Sequence, residues 1–209
     1  YEIMRSLVGS EMCIRDRTNT MIHLNELYLI LNKSLKWNKS HLKCFALIML
    51  VIILKQTCNL SSASKALPIK CLPQSFYRRM QRFFAGQYFD YRQISQLIFN
   101  MFSFDQVQLT LDRTNWKWGK RNINILMLAI VYRGIAIPIL WTLLNKRGNS
   151  DTKERIALIQ RFIAIFGKDR IVNVFADREF IGEQWFTWLI EQDINFCIRV
   201  KKTSLSPII

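Results

Sequence analysis

Two aspartates stand beside apolar segments of strand length. Asp112 ends the run that begins at Val107, and Asp177 directly follows the run Ile171–Ala176. They are 65 residues apart in the sequence, but neighbouring strands of one sheet would bring them to a single site. Adjacent carboxylates repel unless a cation lies between them, and Mg²⁺ and Mn²⁺ are oxygen-seeking ions that suit such a pair. The spacing indicates a divalent-metal site, with ordinary strand-end or turn aspartates as the alternative.

A metal site of this kind has a specific chemistry. Two ions about 4 Å apart can activate a water molecule or a 3′-hydroxyl and stabilise the leaving oxygen of a phosphodiester. Asp112 and Asp177 are therefore candidate metal ligands and catalytic residues for cleavage or transfer of a phosphodiester bond.

The elements that would position these aspartates begin near residue 106. The apolar runs predict strands and the polar-apolar periodicity predicts helices, with Arg133-Gly134 as a turn and Gly167 as a helix end. Either Ser150 or Asp151 is expected to cap the first of these helices. In chain order the predicted elements are strands Val107–Asp112, Asn122–Tyr132 and Ile135–Leu144, helix 152–166, strand Ile171–Ala176, helix Gly182–Gln192 and strand Asn195–Val200.

This order, βββαβαβ, predicts an α/β fold with a ribonuclease-H-like mixed sheet. In such a sheet the first three strands form an antiparallel meander, and the later strands add in parallel through helical crossovers. Strands one and four are then neighbours, which is the condition for Asp112 and Asp177 to meet.

Residues 21–101 have a different pattern and are predicted to be helical. Apolar residues recur at spacings of three and four along the first helix, from Leu24 to Leu35. Further helices are expected over 39–57, over 62–67 with Ser61 or Ser62 as the cap, over the segment Ser75–Phe84, and over 91–101. The prediction is an all-α module that precedes the α/β domain.

The charge is strongly positive and unevenly distributed. The formal net charge is +15, and residues 21–95 carry 11 Lys/Arg against 2 Asp/Glu, whereas residues 106–203 carry 16 against 9. An excess of this size indicates a polyanionic partner or an anionic membrane, although many globular surfaces are simply basic. Within the helical module, contacts to phosphates are predicted for Arg78, Arg79 and Arg82.

Neither a membrane span nor a cysteine-based site is indicated. The apolar run Cys44–Leu54 has 11 residues between two lysines, and a spanning helix needs about 20. The longer run Ile123–Leu144 is interrupted by Arg133-Gly134 and Pro138. Five scattered cysteines, without a Cys-x-x-Cys pair, suggest free thiols in a reducing cytoplasm.

Several basic and aromatic residues near the aspartates are candidate nucleic-acid contacts. Arg113 and Arg178 each follow an aspartate and would either contact phosphates, orient the carboxylates or face solvent. An aromatic and basic cluster could stack on an unpaired base or clamp the backbone, with core packing as the alternative for at least one tryptophan. The cluster comprises Trp116, Lys117, Trp118, Lys120 and Arg121. Glu179 is a candidate for contacting a metal ligand rather than the metal.

Two sequence blocks resemble a known family. Leu-Thr-Leu-Asp112-Arg-Thr114-Asn-Trp116 resembles the first catalytic block of DDE transposases of the insertion-sequence-four family, and Val174-Phe-Ala-Asp177-Arg-Glu179-Phe resembles the second. The segments Pro138-Ile-Leu-Trp141, Lys146-Arg-Gly-Asn-Ser, Phe196-Cys-Ile-Arg199-Val-Lys201 and Tyr77-Arg-Arg-x-Gln-Arg-Phe-Phe84 are also similar to this family. The resemblance extends over about 21–203.

The resemblance implies an activity and its partners. Asp112 and Asp177 match the first two of three metal-binding carboxylates, which hold two Mg²⁺ or Mn²⁺ ions in the complete protein. The third, a glutamate in a Tyr-x-x-Arg-x-x-x-Glu pattern, has no match and is expected past Ile209. The implied partner is double-stranded DNA with terminal inverted repeats, bound by a homodimer in a synaptic complex in the bacterial cytoplasm, at the nucleoid, with no membrane.

The expected organisation and function follow. Residues 1–20 resemble a non-native, adapter-like segment, 21–104 form the DNA-binding module, 105–203 an incomplete catalytic domain and 204–209 a truncated tail. The leading hypothesis is a DNA transposase that cleaves and transfers strands with Mg²⁺, inactive as this chain if the third carboxylate is missing. The alternatives are an inactive remnant that only binds DNA, and a membrane-associated basic protein.

Overall fold

The computed structural model describes residues 22–66, 71–87 and 89–200. The chain divides into two compact units, the first ending at Gln93 and the second beginning at Ile94. The adapter-like segment 1–20 and the tail 204–209 lie outside the described residues.

The first unit is helical, as the sequence predicts. Helix α1 covers residues 22–34 of the described chain. It is followed by α2 (Lys39–Lys55), α3 (Leu60–Ser64) and α4 (Pro73–Gly86). Helix α5 (Tyr91–Met101) begins in this unit, and most of its residues belong to the second unit. Within the described residues, no helix combines the length and the apolar character that crossing a membrane requires.

The short helix α3 begins earlier than predicted. Asn59 caps it, and its Oδ1 accepts hydrogen bonds from the backbone N–H groups of Ser61 and Ser62 at 3.0 and 3.1 Å. The prediction of Ser61 or Ser62 as the cap was therefore wrong by two or three residues. Asparagine is as good a capping residue as serine, so the first acceptor in reach determines the helix start.

The core of the first unit forms between α2 and α4. Cys44, Leu47, Ile48 and Val51 of α2 are buried with Ala63 and with a row from α4, namely Phe76, Met80 and Phe83. The α4 row has the three- and four-residue spacing of one helix face. Arg78 and Arg82 of the same helix are exposed.

The second unit contains a five-stranded mixed sheet in the order β3-β2-β1-β4-β5. The β1–β2 and β2–β3 pairs are antiparallel, and the β1–β4 and β4–β5 pairs are parallel. The elements are β1 (Val107–Trp118), β2 (Arg121–Tyr132), β3 (Ile135–Leu143), α6 (Thr152–Phe166), β4 (Ile171–Ala176), α7 (Glu183–Glu191) and β5 (Phe196–Ile198). This is the predicted ribonuclease-H-like arrangement, and it is confirmed.

The first strand is longer than predicted. It continues past Asp112 to Trp118, because residues 115–118 pair with residues 121–124 across a tight turn at Gly119 and Lys120. Gly119 has φ +57°, a left-handed conformation that glycine adopts without a steric cost. Asp112 consequently lies inside β1 rather than at its end.

One face of the sheet carries the core of the second unit. Alternate residues of β1 and β2 point to this face, among them Leu109, Leu111, Leu126 and Leu128, each 2% exposed or less. They belong to one cluster with Leu158 and Phe162 of α6 and with Trp185 and Leu189 of α7. Burying side chains of this size stabilises the fold by about 1.5–3 kcal/mol each, so the sheet and both helices are held in place from this side.

Helix α6 begins with a capping box at Asp151. The carboxylate of Asp151 accepts a hydrogen bond from the N–H of Glu154 at 2.9 Å, and the Glu154 carboxylate accepts one from the N–H of Asp151 at 2.8 Å. Of the two predicted caps, Asp151 is therefore the one used. The backbone hydrogen bond from Glu154 and then the ammonium of Lys146 lower the pKa of Asp151.

Replacing Asp151 with alanine is expected to lower the free energy of unfolding by about 1 kcal/mol, because the first turn of α6 loses its acceptor. The pKa of Asp151 is lower in the folded state, so this stabilisation is present above the unfolded-state pKa and is lost as the pH falls through the folded-state pKa. Urea unfolding of the full chain at neutral and strongly acidic pH measures both effects. Gln160→Ala, at an exposed position of α6, is the control. A cost that stays the same at strongly acidic pH would contradict the charge-dependent part.

Candidate metal centre

The parallel pairing of β1 and β4 brings the two aspartates together. The register ends with Leu111 opposite Ala176, and the residue that follows each of them in the sequence is an aspartate. Asp177 keeps an extended backbone, with φ −82° and ψ 172°. Because side chains alternate along extended chains, both carboxylates point to the face opposite Leu111 and Ala176. Asp112 and Asp177 are both exposed on that face.

The same local hydrogen bond orients both carboxylates. Asp112 Oδ1 accepts from the N–H of Arg113, and Asp177 Oδ1 accepts from the N–H of Arg178, each at 2.7 Å. Exposed carboxylate oxygens on adjacent strands are a donor set that fits Mg²⁺ or Mn²⁺. Within residues 22–66, 71–87 and 89–200, no group of three or more His, Cys, Asp or Glu residues could hold a metal. The pair fits a metal ion as part of a ligand set.

Behind the aspartates, on the core side of β1, Arg113 forms a two-pronged ion pair with Glu179. Arg113 Nε donates to Glu179 Oε1 at 3.0 Å, and a terminal guanidinium nitrogen donates to Oε2 at 3.1 Å. The side chains are only 12% and 25% exposed. Charged, bidentate hydrogen bonds of this kind are roughly twice as strong as neutral ones. The pair links the residue after Asp112 to the turn that follows Asp177.

Two asparagines complete the surroundings of Arg113. Its guanidinium also donates to the side-chain oxygens of Asn124 at 3.3 Å and Asn149 at 3.2 Å. Asn124 is 2% exposed, and its amide donates to the carbonyl oxygens of Lys146 and Gly148 at 3.1 and 2.9 Å. The loop after β3 is therefore fixed to the same arginine as the two aspartate-bearing segments.

A second arginine, on helix α6, contacts the Glu179 segment. Arg155 of α6 is 5% exposed and donates to Ser150 Oγ at 3.0 Å, to the Ser150 carbonyl at 2.6 Å and to the Glu179 carbonyl at 3.1 Å. Its guanidinium lies 5.0 Å from the centre of the Phe180 ring. Burial lowers the pKa of Arg155, and the charge of Glu179 is the largest opposing cause. The arginine remains protonated, because guanidinium groups in proteins do not lose their proton.

Sequence reasoning left part of this network unassigned. The sequence marks Arg113 and Glu179 as candidates but does not indicate that they pair, and it predicts no role for Asn124, Asn149 or Arg155. One signal was available: residues 113–150 contain no acidic residue, so a carboxylate partner for Arg113 must come from before or after that segment.

The predicted DNA contacts occupy different environments. Arg78 and Arg82 are exposed on α4, whereas Arg79 is half-buried and donates to the Ser40 carbonyl at 3.4 Å. In the second unit the exposed cations are at the β1–β2 turn and directly after Asp177. Among the predicted contacts, these are Lys117, Lys120, Arg121 and Arg178. Four donors of Arg113 are directed at protein oxygens, so its predicted phosphate contact would compete with this network.

Comparison with known protein families adds one finding. Residues 103–205 match the transposase DDE domain. This match covers the sheet, both aspartates and the network around Arg113, and it supports a transposition or recombination type of function for residues 103–205. No curated protein matches the chain.

Two solved structures are similar over part of the chain. The HTLV-2 integrase catalytic core domain, solved with magnesium in a dimeric form, is 14% identical, with a TM-score of 0.36 over 46% of this chain and 61% of that chain. The simian T-cell lymphotropic virus intasome, solved with the PP2A regulatory subunit B56 gamma, is 13% identical, with a TM-score of 0.38 over 48% of this chain and 37% of that chain. This chain spans less than two thirds of either, and the fold assignment rests on its own strand order.

A double-mutant cycle on Arg113→Ala and Glu179→Ala is expected to give a coupling energy of about 2 kcal/mol, because each single change leaves a partly buried charge without its partner. Chemical unfolding of the full chain and its three variants measures it. The same cycle on Lys146 and Asp151, an ion pair with a more exposed carboxylate, is the control and should give a smaller coupling. Equal couplings for the two pairs would count against a special role of the Arg113–Glu179 pair.

Proposed function

We propose that this chain is part of a DDE transposase of the insertion-sequence-four type, which cleaves and transfers DNA strands at the ends of a mobile element. The observation that carries the proposal is the placement of Asp112 and Asp177 side by side at the end of the β1–β4 pairing. The match of residues 103–205 to the transposase DDE domain supports it. The third carboxylate, expected past Ile209, stays a prediction.

In this proposal the chain's residues have separate roles. Asp112 and Asp177 would hold Mg²⁺ or Mn²⁺ through carboxylate oxygens that already accept a backbone hydrogen bond. The bound ions would supply Lewis-acid polarisation of a phosphodiester and a nucleophile of lowered pKa. Arg113 and Glu179 are positioning residues, because they hold the two aspartate-bearing segments in a fixed relation. The exposed Arg178, next to Asp177, is placed to contact a phosphate.

The first unit is proposed to bind double-stranded DNA at the terminal repeats. Arg78 and Arg82 are one helical turn apart on an exposed face of α4, and such pairs can contact successive phosphates. A homodimer in a synaptic complex, located at the bacterial nucleoid in the cytoplasm, is part of the same proposal. The resemblance of the sequence blocks supports it.

A second candidate function is a remnant that binds DNA without cutting it. Its support is the exposed cations of α4 and of the β1–β2 turn, which can contact DNA whether or not a metal is bound. The two candidates differ in cleavage and agree in DNA binding.

Binding of Mn²⁺ to the full chain, measured by electron paramagnetic resonance, tests the metal site. Asp112→Asn and Asp177→Asn should each weaken Mn²⁺ binding by more than the roughly 10- to 100-fold that loss of an outer-shell partner costs. Asparagine keeps the shape of aspartate and removes the charge. Asp169→Asn, an exposed acid at the other end of β4, should bind like wild type. Unchanged Mn²⁺ affinity in both site variants would rule out the assignment.

Cleavage of supercoiled plasmid separates the two candidate functions. The transposase proposal expects nicking in Mg²⁺ or Mn²⁺ that disappears in Asp112→Asn and Asp177→Asn. Salt-sensitive binding without nicking in either metal would favour the remnant for this chain.

The DNA-binding role of α4 is tested by the salt dependence of affinity for a duplex. Arg78→Gln combined with Arg82→Gln should reduce the slope of log affinity against log salt by about 1.8, since each phosphate contact contributes about 0.9. Lys33→Gln with Lys55→Gln removes the same charge from exposed positions of α1 and α2 and serves as the control. Equal reductions would indicate diffuse attraction rather than contacts by α4.

A further inference from the structure

The β1–β2 hairpin extends beyond the rest of the sheet. The pairing of β1 with β4 ends at Leu111, and the pairing of β2 with β3 begins at Ile125. From Asn115 to Asn124 the two strands pair only with each other in the described sheet. We call residues 115–124 the ribbon.

The ribbon starts next to the candidate metal centre and is long enough to follow a duplex. Trp118 is the sixth residue after Asp112, which is about 20 Å of extended chain. A two-stranded ribbon of this kind fits the major groove of B-DNA, which is about 12 Å wide. The same 20 Å corresponds to about six base pairs at about 3.4 Å each.

The ribbon is positively charged, and many of its residues are exposed rather than packed in a core. Residues 115–117 and 119–121 are all exposed, and Trp116 is 56% exposed. The ribbon contains Lys117, Lys120 and Arg121 and no acidic residue. An isolated two-stranded hairpin is only marginally stable in water. A polyanion is the partner that this combination of exposed cations and an exposed indole fits.

The strand register separates the cations onto two faces. Trp116 pairs with Ile123, and Trp118 with Arg121, while Lys117 pairs with Asn122. Directly paired residues share a face and neighbours in sequence alternate. Trp116 and Arg121 therefore share the face of Asp112, and Lys117 lies on the other face. Sequence alone had grouped these cations together.

We propose that the ribbon docks on double-stranded DNA through Trp116 and Arg121, on the face that carries Asp112. The duplex then runs from the phosphodiester at the metal centre along the ribbon to its turn, over about six base pairs. Arg121 contacts the phosphate backbone, and Trp116 packs on sugars or base edges. This inference rests on the proposed function and adds the path of the DNA.

The test compares two cations of the same ribbon. Arg121→Gln should reduce the salt slope of binding to a random-sequence duplex by about 0.9, the contribution of one phosphate. Lys117→Gln, which removes the same charge from the opposite face, should leave the slope near that of wild type. Both positions are exposed, and circular dichroism verifies that both variants fold. Equal slopes for the two variants would overturn the inference.

A second measurement does not depend on charge. A photo-crosslinking amino acid in place of Trp116 should form a covalent adduct with the duplex, whereas the same residue in place of Ile190, 68% exposed on α7, should not. Absence of the adduct at position 116 in a chain that still binds DNA overturns the inference and leaves the proposed function standing. Failure of the wild-type chain to bind DNA overturns both, and Mn²⁺ binding reports separately on the aspartates.

Discussion

The ion pair between Arg113 and Glu179 is the constraint on which the candidate site depends. Arg113 follows Asp112 and Glu179 lies two residues after Asp177, so one two-pronged contact fixes the relation between the two aspartate-bearing segments. Both side chains have low exposure, so breaking the contact would lower the stability of the fold, because a charge without its partner in a partly desolvated place costs free energy. Arg155 adds to this by holding the Glu179 backbone from the side of α6.

The alternation of side chains along β1 places core residues on one face of the strand and exposed residues on the other. The residues on its core face, Leu109, Leu111 and Arg113, join the hydrophobic cluster and then the polar network. Asp112 and Trp116 lie on the other face and are exposed. A strand can expose ligand-binding residues on one face only if its other face is packed in the core. Helices α6 and α7 provide this packing through Leu158, Phe162 and Trp185. The polar residues on the open face are then free to meet a ligand.

In each described unit some basic residues are exposed and others contact protein groups. In the first unit Arg78 and Arg82 are exposed on α4, whereas Arg79 contacts a backbone carbonyl. In the second unit Arg113 and Arg155 are part of the internal network, while Arg121 and Arg178 are exposed. A net charge of +15 is therefore not all available to a partner. Counting cations in a sequence measures an attraction to polyanions, but only packing decides which cations remain to make contacts.

The sequence by itself determined much of the architecture. Helix α6, strand β4 and the meander of β1 to β3 follow from periodicity, apolar runs and turn residues, which are local signals, and their order implies that β1 and β4 are neighbours. Local signals could not set the length of β1, because residues 115–118 are polar or aromatic and become a strand only through pairing with residues 121–124. Nor could they pair Arg113 with Glu179 or separate Arg121 from Lys117. Those outcomes depend on contacts between distant residues and on strand register, which the tertiary structure alone decides.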